Sequence, residues 1–412
     1  FDDIEAGDGN NTIAGGNGDD IITSGLGNDT IDAGAGDDDI DAFEGDNSIA
    51  GGDGSDLILA GAGNDTIDGG EGEDFILAGH GDNIIAGGAG NDLMDAGDGD
   101  DAVDAGEGDD LILAGEGANT LAGGDGNDAI LSGGGNDTVD GGAGDDVIDA
   151  GDGADTIAGG AGNDIVSSGA GDDTIDGGEG DHEIDAGEGD DTVSGGTGND
   201  TFVVDGGDEV VEAAGEGTET VLLDGLDSYS LTDNVENLGL VDPGAAGDAT
   251  LIGNDGANSI EGGAGNDSLD GGLGTDSLSG AGGNDTLSGL GAAGLDDGAA
   301  DELAGGADDD TYLIGAGDSV SEAPGGGTDT VRIAETVPTY TLGANLEKLV
   351  VAVETSTVDY ALGGNELSNL VRGAAGDDTI TGGLGDDTLV GGDGADSFVF
   401  AGLRGAYMLS QG

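Results

Sequence analysis

The sequence predicts an all-β solenoid, and three observations lead there. Residues 7–204 keep a nine-residue phase without insertion, with units starting at Gly7, Gly16, Gly25 and so on to Gly196, twenty-two in all. Self-similarity at a fixed short period marks a repeat array. Each unit also holds one large apolar residue at a fixed place, as Ile67 in Gly61-Ala62-Gly63-Asn64-Asp65-Thr66-Ile67-Asp68-Gly69. Finally, 97 of the 412 residues are glycine, aromatics make up 3% and there is no tryptophan. Such a chain cannot fill a thick globular core, but it can fill the thin core of a solenoid.

Written as Gly-Gly-x-Gly-x-Asp-x-U-x, with U a large apolar residue, the unit resembles the calcium-binding nonapeptide of RTX (repeats-in-toxin) proteins. The glycine two places after each start (Gly9, Gly18 and so on to Gly198) is present in every unit. The resemblance implies a parallel β-roll, a β-solenoid of about 18 residues per coil, with coils about 4.8 Å apart and calcium in the turns. Eleven coils would make a rod of roughly 50 Å. Each ion would sit between the loop of one unit and that of the unit after next. The residue types suit this. Glycine permits positive φ and lets carbonyls approach an ion, and aspartate adds the hard oxygen that calcium prefers. The implied ligands in the long array are Asp20, Asp29, Asp38, Asp56, Asp65, Asp74, Asp92, Asp101, Asp110, Asp128, Asp137, Asp146, Asp155, Asp164, Asp173, Asp191 and Asp200. Asn11, Asn47, Asn83, Asn119 and His182 fill the remaining slots. The inward column would be Ile13, Ile22, Ile31 and onward to Phe202, roughly one calcium ion accompanying each repeat.

Taken in order, the first segment is the regular roll, 1–204. Within it a 36-residue period places Asn11, Asn47, Asn83 and Asn119 on one edge, alternating with aspartate; neutral ligands predict weaker calcium sites there. The two outer faces differ. One carries Thr12, Thr30, Ser48, Thr66 and further hydroxyls. The other carries Leu57, Leu59, Phe75, Leu77, Leu93, Leu111, Leu113 and Leu131, expected to form an outward apolar stripe because U points inward and strand residues alternate. Spacer coils follow over 205–250, where 208–221 and 229–238 alternate apolar residues as strands do. A second RTX block spans 251–314, marked by Asp267, Asp276 and Asp285 and less regularly by Asp301 and Asp310, with an interruption near 289–300. The spacer pattern returns over 315–362, in 318–331 and 340–349. Asp378, Asp387 and Asp396 mark a third block over 363–400, and a short tail, 401–412, closes the sequence. The chain opens inside a repeat, with Asp2 and Ile4 in phase, and the tail is short for a secretion signal. A piece of a longer array is therefore expected.

The formal charge is −88, from 92 acidic and 4 basic residues. That repulsion predicts disorder without a counterion. Roughly twenty calcium ions would return about +40. The remaining charge argues against nucleic acid or an anionic membrane as direct partner. No apolar run approaches the about 18 residues that a membrane helix needs, so no membrane insertion is expected. With no cysteine, calcium would be the staple in place of disulfides.

Carboxylate pairs such as Asp19-Asp20 recur with the repeat, which makes them ligands rather than an acid–base couple. His182, in a ligand slot, and His80, at a variable turn position, read as solvated substitutions. No Gly-x-Ser-x-Gly or His-Glu-x-x-His occurs, so no enzyme is expected in this chain. RTX proteins generally leave the cell by type I secretion. The resemblance thus implies a secreted, extracellular calcium-binding β-roll, acting as a structural or interaction segment of a surface-layer, adhesin-like or filamentous protein. The alternative is the non-catalytic tail of a secreted protease, lipase or epimerase. Besides calcium, the expected partners are other copies of itself or a cell-surface partner, met through the apolar face.

Overall fold

An apolar residue at every ninth position, set among glycines and aspartates, is buried only if successive units fold back on one another. The computed structural model does this with strands alone. It describes residues 1–244, 247–291, 294–399 and 407–408, and among these no α-helix occurs. No helix is therefore long and apolar enough to cross a membrane. The chain divides into two units, Phe1–Thr218 and Glu219–Gly412.

From Thr12 to Thr197 each coil contributes a six-residue strand and a three-residue strand, such as Thr66–Glu71 and Phe75–Leu77. Successive strands of each kind pair in parallel, one coil apart. Ile67 lies beside Ile85 in the sheet of longer strands, and Ile76 beside Met94 in the sheet of shorter ones. The coil is thus 18 residues, the spacing across which the turns are also bonded. The expected inward column is buried from Ile13 to Phe202, with both sheets contributing. Burying each such side chain is worth about 1.5–3 kcal/mol. Beside it the shorter strands end on a second inward row of small residues, Ala42, Ala60, Ala78 and Ala96. Serine replaces alanine at Ser24, Ser132 and Ser168, and each hydroxyl donates to a carbonyl of the next coil, on Ala42, Ala150 and Ala186. The buried hydroxyls are therefore satisfied.

Close stacking dictates glycine at the turn. Gly70 has φ +113°, and a Cβ there would come within 3.0 Å of the Gly52 carbonyl one coil below. Phe43 stands at the same repeat position without that freedom, at φ 63° and with its side chain 43% exposed. On the outer faces the sequence alternation holds. Leu57, Phe75, Leu93 and Leu111 are neighbours across successive shorter strands, opposite in direction to the buried Ile58, Ile76, Met94 and Ile112. Asp95 interrupts the parallel line of Leu59, Leu77 and Leu113.

The second unit is also built of parallel strands, with changing intervals. Asn237 pairs with Ser259 and Thr339 with Ala361, both longer steps than in the first unit. Ser277 pairs with Glu302 and Thr286 with Thr311, so the interruption lengthens this coil by seven residues over the regular 18. One column of this unit's core runs through Leu251, Leu269, Leu287, Tyr312, Val331, Leu349, Val371 and Leu389, all buried. The spacer stretches therefore lie among the paired strands. Apart from the strand Tyr407–Met408, the tail at 401–412 lies outside the described residues.

Candidate metal centres in the turns

Each turn ends on the slot residue, and its carboxylate tucks beneath the neighbouring coil. Asp56, Asp65 and Asp74 are 2%, 1% and 3% exposed. Their first oxygen accepts a main-chain N–H. The Asp56 N–H donates to Asp74 Oδ1 at 2.8 Å, Asp74 to Asp92 Oδ1 at 2.8 Å, and Asn47 to Asp65 Oδ1 at 2.7 Å. One such ladder runs along each edge of the first unit, built from the slot ahead of the longer strand and the slot ahead of the shorter one.

The second oxygen has no donor. Oδ2 is buried and without a hydrogen-bond partner at sixteen slot aspartates of the long array, and at Asp267, Asp276 and Asp285; at the seventeenth, Asp164, it lies 3.3 Å from His182 Nδ1. A buried charged acceptor in that state costs more than about 1–3 kcal/mol. Main-chain oxygens approach the same place. A Cβ on Gly51 would fall within 3.0 Å of both Asp56 Oδ2 and the Gly69 carbonyl. A Cβ on Gly69 would meet Asp74 Oδ2 and the Gly87 carbonyl in the same way. The glycine φ there is ordinary, and the same place in other coils is held by the buried Ala33 and Ala105.

The asparagine slots show what completes a turn without added charge. Asn47 Nδ2 donates to the Gly45 carbonyl at 3.0 Å and the Ala60 carbonyl at 3.3 Å. Asn83 does the same with Gly81 and Ala96, at 3.0 and 3.1 Å. Asn119 reaches Gly117 and Ser132 at 3.4 and 3.3 Å. At an aspartate slot such as Asp65, whose counterpart carbonyls are Gly63 and Ala78, an acceptor oxygen replaces that amide donor. Oxygens facing one another with no hydrogen between them fit a hard, oxygen-liganded cation such as calcium.

Electrostatics agree. Burial pushes Asp92, Asp146 and Asp191 up to about 7, and Asp56, Asp128 and Asp155 up to about 6, against the opposing backbone N–H bond. Slot neighbours add to it, with Asp74 and Asp110 acting on Asp92. Where asparagines flank the slot, burial also raises Asp65 and Asp101, but the repelling charges on those two are turn residues such as Asp46 and Asp82, not slot neighbours.

His182 is not solvated, contrary to expectation. It is 3% exposed, with Nδ1 3.3 Å from Asp164 Oδ2. The slot points inward whatever residue fills it. Burial opposes the charged imidazole, but the hydrogen bond to Asp164 and the Asp200 and Asp164 carboxylates outweigh it and raise its pKa. His80 is exposed, as expected, beside Asp98 at 3.2 Å.

In the second unit Asp267 N–H donates to Asp285 Oδ1, Asp276 to Asp301 and Asp285 to Asp310, each at 2.8 Å. Asp378 differs from the array, because its Oδ2 accepts the Ala374 N–H at 2.9 Å. Asp387 is buried, while Asp396 is half-buried and accepts the Asp378 N–H. Sequence reasoning missed Asp329, whose Oδ1 accepts the Asp310 N–H at 2.9 Å. It also missed the amide-closed slots Asn258 and Asn369, which donate to Val235 and Leu346 at 3.0 Å. Gly327-Thr328-Asp329-Thr330-Val331 keeps the Gly-x-Asp-x-U ending and was the available signal.

A parallel solenoid with buried, half-satisfied carboxylates at its turns is by class a calcium-binding β-roll. The model of the RTX calcium-binding nonapeptide repeat matches in overlapping copies from 5–40 to 177–211, again from 243–278 to 270–292, and at 363–398. These segments cover well over half of the chain, which belongs to that family. No curated protein matches it.

Proposed function

We propose that this chain is a calcium-assembled structural and interaction segment of a secreted, extracellular protein of surface-layer, adhesin-like or filamentous type. One observation carries the reading: the rows of buried aspartates, each with one carboxylate oxygen bonded and the other without a donor. Calcium completes the aspartate turns, about one ion to each, while the asparagine amides close theirs without one. Until calcium arrives, repulsion among 92 acidic residues opposes stacking. Extracellular modules bind calcium at about 10⁻⁴–10⁻³ M, so the chain crosses the low-calcium cytoplasm unfolded and folds outside. Circular dichroism should show the β signal collapsing in EGTA and returning near millimolar calcium; an unchanged spectrum in EGTA rejects the proposal. The paired apolar columns around Phe75 and Leu77 are the surface through which one roll meets a second copy, where charge is sparse. Sedimentation of Leu77→Asp with Leu113→Asp tests this, and unaltered self-association sinks it.

A further inference from the structure

We propose that Asp310, Glu322 and Asp329 form a calcium site of a different construction, fastening the second spacer to the block before it. All three lie in the second unit and outside every segment matched by the repeat model. One carboxylate oxygen from each lies within 4.8 Å of the other two. Asp310 and Asp329 are 1% and 0% exposed, and the Oδ2 of each has no hydrogen-bond partner. Their Oδ1 atoms are already committed to the Asp285 and Asp310 N–H groups. The free oxygens are therefore the ones available to an ion.

Glu322 distinguishes this site from the repeats. It follows the spacer strand Ser319–Ser321 and occupies no aspartate slot. Its carboxylate accepts the Tyr312 hydroxyl through Oε1 and the Ala323 N–H at 3.2 Å through Oε2. The Tyr312 hydroxyl in turn accepts the Gly305 N–H at 2.8 Å. A Cβ on Gly305 would come within 3.0 Å of both Asp310 Oδ2 and Tyr312 Oη, so the phenol oxygen borders the same space. Lys348 does not neutralise the cluster by contact; its Nζ donates to the Thr328 carbonyl at 3.2 Å. Burial first, and then repulsion from Asp285, Glu322 and Asp329 on Asp310 and from Asp329 on Glu322, raises both to about 7. Three carboxylates and a phenol offer only hard oxygens, without imidazole or thiolate. That donor set favours calcium over transition metals, and its irregularity suits calcium better than octahedral magnesium. Asp200, Glu212 and Glu219 recur in the sequence at the same intervals.

The chain offers a selective probe. It has no tryptophan, and its five tyrosines all lie beyond residue 204, so the long array is silent in tyrosine-sensitised terbium emission. Terbium replaces calcium in oxygen sites and emits when excited through a nearby phenol. The full chain should lose the same part of this emission in Tyr312→Phe and Glu322→Gln. The glutamine keeps side-chain size and an oxygen for the Tyr312 hydroxyl. If Tyr312→Phe lowers emission and Glu322→Gln leaves it intact, an ordinary slot ion at Asp310 explains the signal and the proposal falls. Circular dichroism in calcium verifies folding. Should Glu322→Gln fail to fold, Asp329→Asn decides by the same criterion. Asp137→Asn in the long array separates the two readings. Reduced calcium uptake there, with undiminished emission in Glu322→Gln, overturns this site alone.

Discussion

Asn47→Asp replaces an amide NH₂ with an oxygen in a turn that is already closed. Asn47 Nδ2 makes two hydrogen bonds, to Gly45 at 3.0 Å and Ala60 at 3.3 Å. Losing them removes about 1 kcal/mol each, and leaving buried acceptors facing one another adds about 1–3 kcal/mol. At low calcium the variant should therefore be less stable by about 3–5 kcal/mol, which opens the coil about a hundredfold or more often at 1.4 kcal/mol per factor of ten. The new carboxylate also creates a calcium site. An ion at about a hundred times its dissociation constant returns about 2.7 kcal/mol. The deficit must then shrink as calcium rises, so melting temperature should depend more steeply on calcium in the variant. Thermal melts followed by circular dichroism, from the lowest calcium that supports folding upward, measure that slope. Parallel slopes for variant and parent would refute the idea that the amide stands in for a cation.

Acid should partly replace calcium. In the calcium-free fold burial raises slot carboxyls such as Asp92, to about 7, and Asp56, to about 6, above their ordinary 3.8. A raised folded value contributes stability that is full below the ordinary value and is lost as pH rises through about 6–7. In EGTA the β signal should therefore grow between about pH 7 and pH 4, while protons weaken calcium binding over the same range; a pH-independent spectrum in EGTA contradicts the burial of these groups. Asp65→Asn, on the edge where Asn47 and Asn83 already lack charge, should lower calcium affinity more than Asp74→Asn on the other edge. Calorimetric titrations showing equal losses would dismiss that difference. Phe43→Gly relieves a φ of 63° and should stabilise the fold by about 1 kcal/mol, visible as a higher melting temperature; a lower one would assign the ring a packing role.

The long array was legible in the sequence because every unit meets the same neighbours. When Ile67 repeats as Ile76 and Ile85, a single choice of inward face settles the whole column, and steric crowding then admits glycine at the turns. The same periodicity marked Asp65 or Asp74 as a ligand position without any knowledge of distances. His182 shows the limit of that reasoning. Its residue type suggested solvent exposure, yet the turn's direction buries it, and direction belongs to the backbone. The asparagine slots were recognisable as neutral, but only the stacked coils bring Asn47 Nδ2 onto carbonyls two and thirteen residues away. Asp310, Glu322 and Asp329 lie where the period fails, so no repeat pointed to their meeting. By itself the sequence determined the coil, the buried column and most slot aspartates, because these follow from local chemistry repeated in phase. The tertiary structure alone decided which slot oxygens find donors and which carboxylates converge across the broken period, because both depend on how one coil lies against the next.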